Sequence, residues 1–159
     1  MAPLPQLLEE DIRQLDESLH ELLARSDATT ALVIDKGGFL LTKCGNQRQF
    51  DLTTIAALAS GAYAANQTIA QLVRERNFNC IYQQGEHYSM LVMNVDENCL
   101  LVVIFRADVS VGAVKYYAVP VCARVAAQMK MAQQREPGVG LDLSMLNLSD
   151  PSEVFKKKV

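Results

Sequence analysis

The sequence predicts an α/β (α+β) layer fold: a five-stranded antiparallel sheet with a long crossover helix and flanking helices, ordered helix-strand-strand-helix-strand-strand-strand-helix. Three observations predict it. Apolar residues recur at helical spacing over 6–25, 55–73 and 111–129. Two apolar runs, Ala31–Ile34 and Phe39–Leu41, flank Asp35-Lys36-Gly37-Gly38, where glycine supplies the positive φ of a tight hairpin. Three further runs, Cys80–Gln83, Tyr88–Val95 and Cys99–Phe105, are separated by Gly85-Glu86 and Asp96-Glu97-Asn98, both turn sequences. Two antiparallel strand groups joined by a helix make one sheet with helices on its faces.

In chain order, the first helix carries Leu8, Ile12, Leu15, Leu19, Leu22 and Leu23 with acids between them, an amphipathic pattern. After the hairpin, Gly45–Phe50 is a polar loop, and Asp51 or Thr53 can cap the long helix that follows. That helix, Ile55 to Val73, is the most informative stretch. One face holds Ile55, Leu58, Ala62, Ile69 and Val73, ordinary core spacing; the other holds Ala57, Ser60, Gly61, Ala64 and Thr68, with little side-chain bulk. Such a small strip lets a neighbour approach the backbone, whether its own sheet or a partner. Because the bulky face supplies a sheet contact, the expectation is core on that side and a contact surface on the small one. The strand around Asn79–Gln84 is short and half polar, which suits a sheet edge. An edge beside a small-residue helix suits a two-fold dimer.

Ser110 opens the last helix, with Val111, Val114, Ala118, Val121, Val125 and Met129 on one face, and Pro120 inside it predicts a kink near Tyr116–Pro120. Glu136–Gly140 ends the folded unit, dividing the chain into a domain over 1–135 and a flexible tail over 136–159. The tail is too apolar for a mere linker, with Leu141, Leu143, Met145, Leu146 and Leu148. Ser149-Asp150-Pro151 before Val154 and Phe155 can start a short helix.

At 159 residues and 50% hydrophobic content the chain can bury a real core. A net charge of −3 gives no global field for nucleic acid or anionic membrane. No apolar run approaches the roughly 20 residues of a bilayer span, and the first five residues do not read as a signal peptide. Cys44, Cys80, Cys99 and Cys122 have no paired spacing. The chain therefore reads as soluble and cytosolic.

Chemistry is hard to place on these residues. His20 and His87 have no second ligand at metal spacing. Lys36-Gly37-Gly38 lacks the lysine and hydroxyl placement of a phosphate-binding loop. Asp96-Glu97-Asn98 fits a hairpin turn better than a calcium loop, and Ser89 and Ser110 lack a histidine partner. Lys156–Lys158 reads as a solvated end. The sequence thus offers no catalytic residues, no metal site and no cofactor, and a non-enzymatic binding or regulatory role is expected. A small-molecule sensor would need a pocket of convergent polar groups, which the sequence does not display.

The element order, the hairpin Val33–Leu40, the segment Asp51–Ala65 and the strand Leu100–Phe105 resemble the Roadblock family of dynein-light-chain-like domains, and within it the bacterial polarity regulators. The resemblance covers residues 6–132 well and the tail loosely. It implies a homodimer made by pairing central helices and by joining sheets through the third strand, here Cys80, Ile81 and Tyr82. It further implies a platform that binds a small Ras-like GTPase and stimulates its hydrolysis by repositioning its switch regions, without an arginine finger. On this chain the platform would comprise Ala57, Ser60, Gly61, Ala64, Thr68 and Gln71, with a second contact from tail residues Leu146, Leu148, Val154 and Phe155. Cell polarity or motility, acting at a cell pole, is the implied process. The alternative is a structural scaffold of a motor or signalling complex with no effect on hydrolysis.

Overall fold

The computed structural model describes residues 3–135, so the tail and its four contact residues lie outside the described part. The elements are α1 (Glu9–Arg25), β1 (Ala28–Asp35), β2 (Leu40–Gly45), α2 (Leu52–Leu72), β3 (Cys80–Gln84), β4 (Tyr88–Asn94), β5 (Cys99–Arg106) and α3 (Val111–Gln134). The strands form the single five-stranded antiparallel sheet that the sequence predicts, and the structure gives its order as β2-β1-β5-β4-β3.

β1 and β5 lie at the centre, and β5 is buried from Cys99 to Phe105. Alternate side chains feed two cores. Ala31, Val33, Leu101, Val103 and Phe105 meet α1 and α3 through Leu15, Leu19, Val121, Val125 and Met129. Leu32, Ile34, Val92, Val102 and Ile104 meet α2.

Local chemistry sets the element ends. The β1–β2 turn closes at Gly38 (φ +97°), while Asp35 Oδ1 accepts the Phe39 amide at 2.8 Å. Asp51 caps α2 by accepting from Thr54 N at 3.1 Å, and Ser110 caps α3 by accepting from Ala113 N at 3.4 Å. Strand β2 runs past Leu41 to Gly45, because Thr42 and Cys44 point inward while Lys43 points out. Gly45, φ +102°, ends it where an added Cβ would lie 2.2 Å from the Thr29 carbonyl oxygen. Pro120 lies inside one continuous helix on its exposed side, so the carbonyl it leaves without a donor is on the solvent face.

The start of α1 is tied to the end of α3. Asp11, fully buried, accepts from the Leu8 amide at 2.7 Å, from Gln128 at 2.7 Å, and from both terminal nitrogens of Arg135 at 2.8 and 3.0 Å. The Arg135 guanidinium outweighs the cost of burial, and together with the other donors holds the Asp11 carboxyl well below the usual carboxylate range.

A carboxyl held low in the folded state contributes stability that is complete above its unfolded value and drains away as pH falls below about 4. Asp11→Asn should cost about 3 kcal/mol at neutral pH, the low end for removing one side of a buried pair because the Arg135 side chain is a quarter exposed. Urea denaturation of both proteins should show a stability gap that begins to narrow as pH falls below about 4 and keeps narrowing with further acidification.

Candidate interaction surface

Among the described residues, helix α2 alone covers its face of the sheet. It buries Leu52, Ala56, Ala59, Ser60, Tyr63 and Ala70. This corrects the expected division of its faces. The sheet beneath already carries branched chains (Leu32, Ile34, Val92, Val102), and the helix meets it through Leu52, Ala56, Ala59 and Tyr63. The bulky residues face outward: Leu58 is 68% exposed, Ile69 48%, Leu72 79% and Val73 58%.

Two rows therefore run side by side along the outside. Leu58, Ala62, Ala65, Ile69 and Leu72 form an apolar row with alternating steps of four and three residues, the spacing of a helix–helix seam. Ala57, Gly61, Ala64, Thr68 and Gln71 repeat that spacing one residue earlier, and all five are exposed. Ser60 is not in this surface: it is 6% exposed and donates to the Lys36 carbonyl at 2.5 Å. The Ala57 backbone lies against the hairpin tip, since a Cβ on Gly38 would lie 3.1 Å from its Cα, which favours glycine at 38. Gly61 has no such neighbour, because a Cβ added there meets nothing within 4 Å among the described residues.

Beyond α2 the chain turns at Arg74 (φ +63°) into β3, which pairs only with β4 and forms the sheet edge on that side. Cys80 and Ile81 are half-buried, and Tyr82, 40% exposed, stacks on Phe105 at 6.2 Å between ring centroids. Row and edge thus belong to consecutive elements.

Other candidates fall into structural roles. Asp96 Oδ1 accepts from the amides of Asn98 and Cys99, both at 2.8 Å, which shapes the β4–β5 turn. Burial pushes the Cys99 and Cys122 thiols up to about 12, so both are neutral at pH 7. No three His, Cys, Asp or Glu side chains among the described residues are placed to hold a metal, and no described helix is long and apolar enough to cross a membrane. One feature absent from the sequence reading is a cleft of about 350 Å³ beside α2, lined by Lys36, Tyr63, Gln67, Asn77, Asn94 and Glu97 among others. These residues come from separate segments, so no spacing rule brings them together.

A five-stranded antiparallel sheet with two helices on one face and one long outward-looking helix on the other defines a Roadblock-type domain. Residues 15–105 match the Roadblock/LC7 domain family, and the chain belongs to that family. It is similar to a solved MglB described as having a tetrameric arrangement, at 29% identity over 83% of this chain and 99% of that one, with a TM-score of 0.77. It is also similar to the gliding protein MglB of Thermus thermophilus, at 29% identity, 82% and 99% coverage and a TM-score of 0.76. Myxococcus xanthus MglB shares the fold at 24% identity, with 82% and 98% coverage and a TM-score of 0.76. A comparison with curated protein sequences finds no match.

Glycine in an exposed helix interior costs about 0.5–1 kcal/mol relative to alanine. Since the Gly61 Cβ position is open, Gly61→Ala should stabilise the helix of an isolated subunit by that order. Gly61→Arg should spare the fold, judged by circular dichroism, yet abolish whatever docks on the row.

Proposed function

We propose that the chain is a homodimeric, non-enzymatic regulator of a small Ras-like GTPase of the MglA type, accelerating GTP hydrolysis at a cell pole in polarity or motility. The observation that carries this reading is the outer side of α2: an apolar helix seam beside a row of small residues, next to an open strand edge. The similarity to MglB supports it. Paired α2 seams would bury Leu58, Ile69 and Leu72, and β3 edges carrying Cys80, Ile81 and Tyr82 would extend the sheet across the two-fold axis. The row Ala57, Gly61, Ala64, Thr68 and Gln71 would then form the platform.

Ras-like GTPases hydrolyse slowly because the attacking water and the residue orienting it are poorly placed. A partner that binds the productive switch arrangement more tightly shifts the population towards it. Alanine and glycine suit that task, since they bring backbone close and lose little side-chain entropy on binding. The regulator supplies no acid, base or metal in this scheme. The tail residues Leu146, Leu148, Val154 and Phe155 would make a second contact with the GTPase.

Light scattering should give twice the chain mass at micromolar concentration, and the purified protein alone should not turn over GTP. Single-turnover hydrolysis by an MglA-type GTPase should accelerate on its addition. An arginine finger is worth about 10³–10⁵ in rate, so Arg74→Ala and Arg76→Ala should each keep the acceleration within about threefold. A monomeric mass would overturn the dimer. Binding without acceleration would leave a scaffold of a motor or signalling complex.

A further inference from the structure

The outward side of α3 is apolar along most of its length. Tyr116, Val119, Pro120, Ala123, Ala127 and Met131 recur there at helical spacing, and all six are exposed. The row over 116–131 runs about 22 Å at the helical rise of about 1.5 Å per residue. The opposite side of the helix, with Val114, Val121 and Met129, makes the core. Between the row and α1 lies a cleft of about 240 Å³, walled by Leu22, Tyr117, Pro120, Val121 and three charged side chains. The surface therefore offers a recess for a side chain as well as a stripe.

The charges on this helix have one sign. Lys115, Arg124 and Lys130 are exposed on α3, which contains no acid over Val111–Gln134. An exposed apolar row flanked by cations suits an occupant that is apolar and acidic. An anionic lipid surface fits it poorly, because Glu9, Glu10, Glu17 and Glu21 stand on α1 beside it. A narrow segment lying along α3 alone avoids those acids.

The chain itself carries such a segment. Residues 141–155 lie outside the described part, and their sequence holds seven apolar side chains, three acids (Asp142, Asp150, Glu153) and no base. They begin six residues after Arg135, where α3 has ended, with Pro137, Gly138 and Gly140 between. Proline does not continue a helix, and glycine permits a reversal of direction. Fifteen residues cover about 22 Å even at the helical rise, so the segment can span the row whatever its conformation. We infer that the outward row of α3 is the docking site of residues 141–155 of the same chain, folded back along the helix that precedes them. The docking stands apart from the GTPase reading, which supplies only its consequence. Leu146, Leu148 and Phe155 cannot serve both contacts at once, so a GTPase that takes the tail frees the row.

The test uses the full-length protein with no GTPase present. Nuclear Overhauser contacts should link the methyl groups of Leu146 and Leu148 to those of Ala123, Ala127 or Met131, and should persist on dilution. Ala123→Glu with Ala127→Glu changes two exposed positions and no core residue. In that variant the contacts should vanish and chymotrypsin should cleave the tail at least about tenfold faster, since cleavage tracks the open population. Circular dichroism and the light-scattering mass should match the unaltered protein. Lys115→Glu with Lys130→Glu, which keeps the apolar row, should speed cleavage by a smaller factor, about threefold. Leu146→Ser with Leu148→Ser should shift the Ala123 and Ala127 methyl resonances. Absence of the contacts in the free protein overturns the proposal, as does an unchanged cleavage rate in the Ala123, Ala127 variant. A fall in mass in that variant would assign the row to a second copy and overturns it too. So do contacts that form only when a GTPase is added, or row resonances that answer to anionic vesicles and not to the tail variant.

Discussion

The organising constraint is a mismatch in width. Five strands spaced about 4.8 Å apart set the outer strands roughly 19 Å from each other, whereas a helix with its side chains is about 10 Å across. One face of the sheet solves this with two helices, α1 and α3, and its core is closed. The other face has, among the described residues, α2 alone. Under it the centre of the sheet is dry, but Ile81, Tyr88 and Met90 towards the β3 edge are only half-buried. Hydrophobic area left over on that face, and on the outside of α2, is what a second subunit can cover. The same asymmetry opens the cleft, since Lys36, Asn94 and Glu97 line its wall on turns and a strand end around a single helix.

The closed face is secured by a different kind of contact. Helix α1 is rich in acids, while α3 contains Lys115, Arg124 and Lys130 and no acid at all. Arg124 pairs with Glu21 across the two helices, and Asp11 gathers Gln128 and Arg135 at their far end. The surface pair is solvated and worth little. The Asp11 cluster is buried and directional, so it fixes how far one helix can slide along the other.

Much of this was legible in the sequence. Glycine at Gly37 and Gly38 between two apolar runs located the hairpin, and Asp51 and Ser110 announced their helices because capping is local chemistry. The sequence of elements along the chain and the half-polar edge followed from short runs and turns, whereas the order of strands across the sheet came from the structure. Nor were the faces of α2 legible. Nearly every position from Leu52 to Ala65 is apolar or small, so a periodicity of 3.6 fits more than one stripe, and the choice depends on the bulk of a sheet assembled from distant segments. Asp11 was hidden for the same reason: an acid near a helix start reads as ordinary, and its partners lie 117 and 124 residues away. The cleft is the extreme case, with convergence and no spacing.

Ala57 and Gly61 stand one turn apart in the same exposed row, yet they differ in how they are tied to the domain. The backbone of Ala57 lies against the hairpin tip, so a side chain at Gly38 would push on the helix at that point. Gly61 carries no such internal tie. The path of the helix at position 57 is therefore tied to the hairpin and its glycine, while the helix at position 61 carries whatever side chain it is given without consequence for the domain beneath.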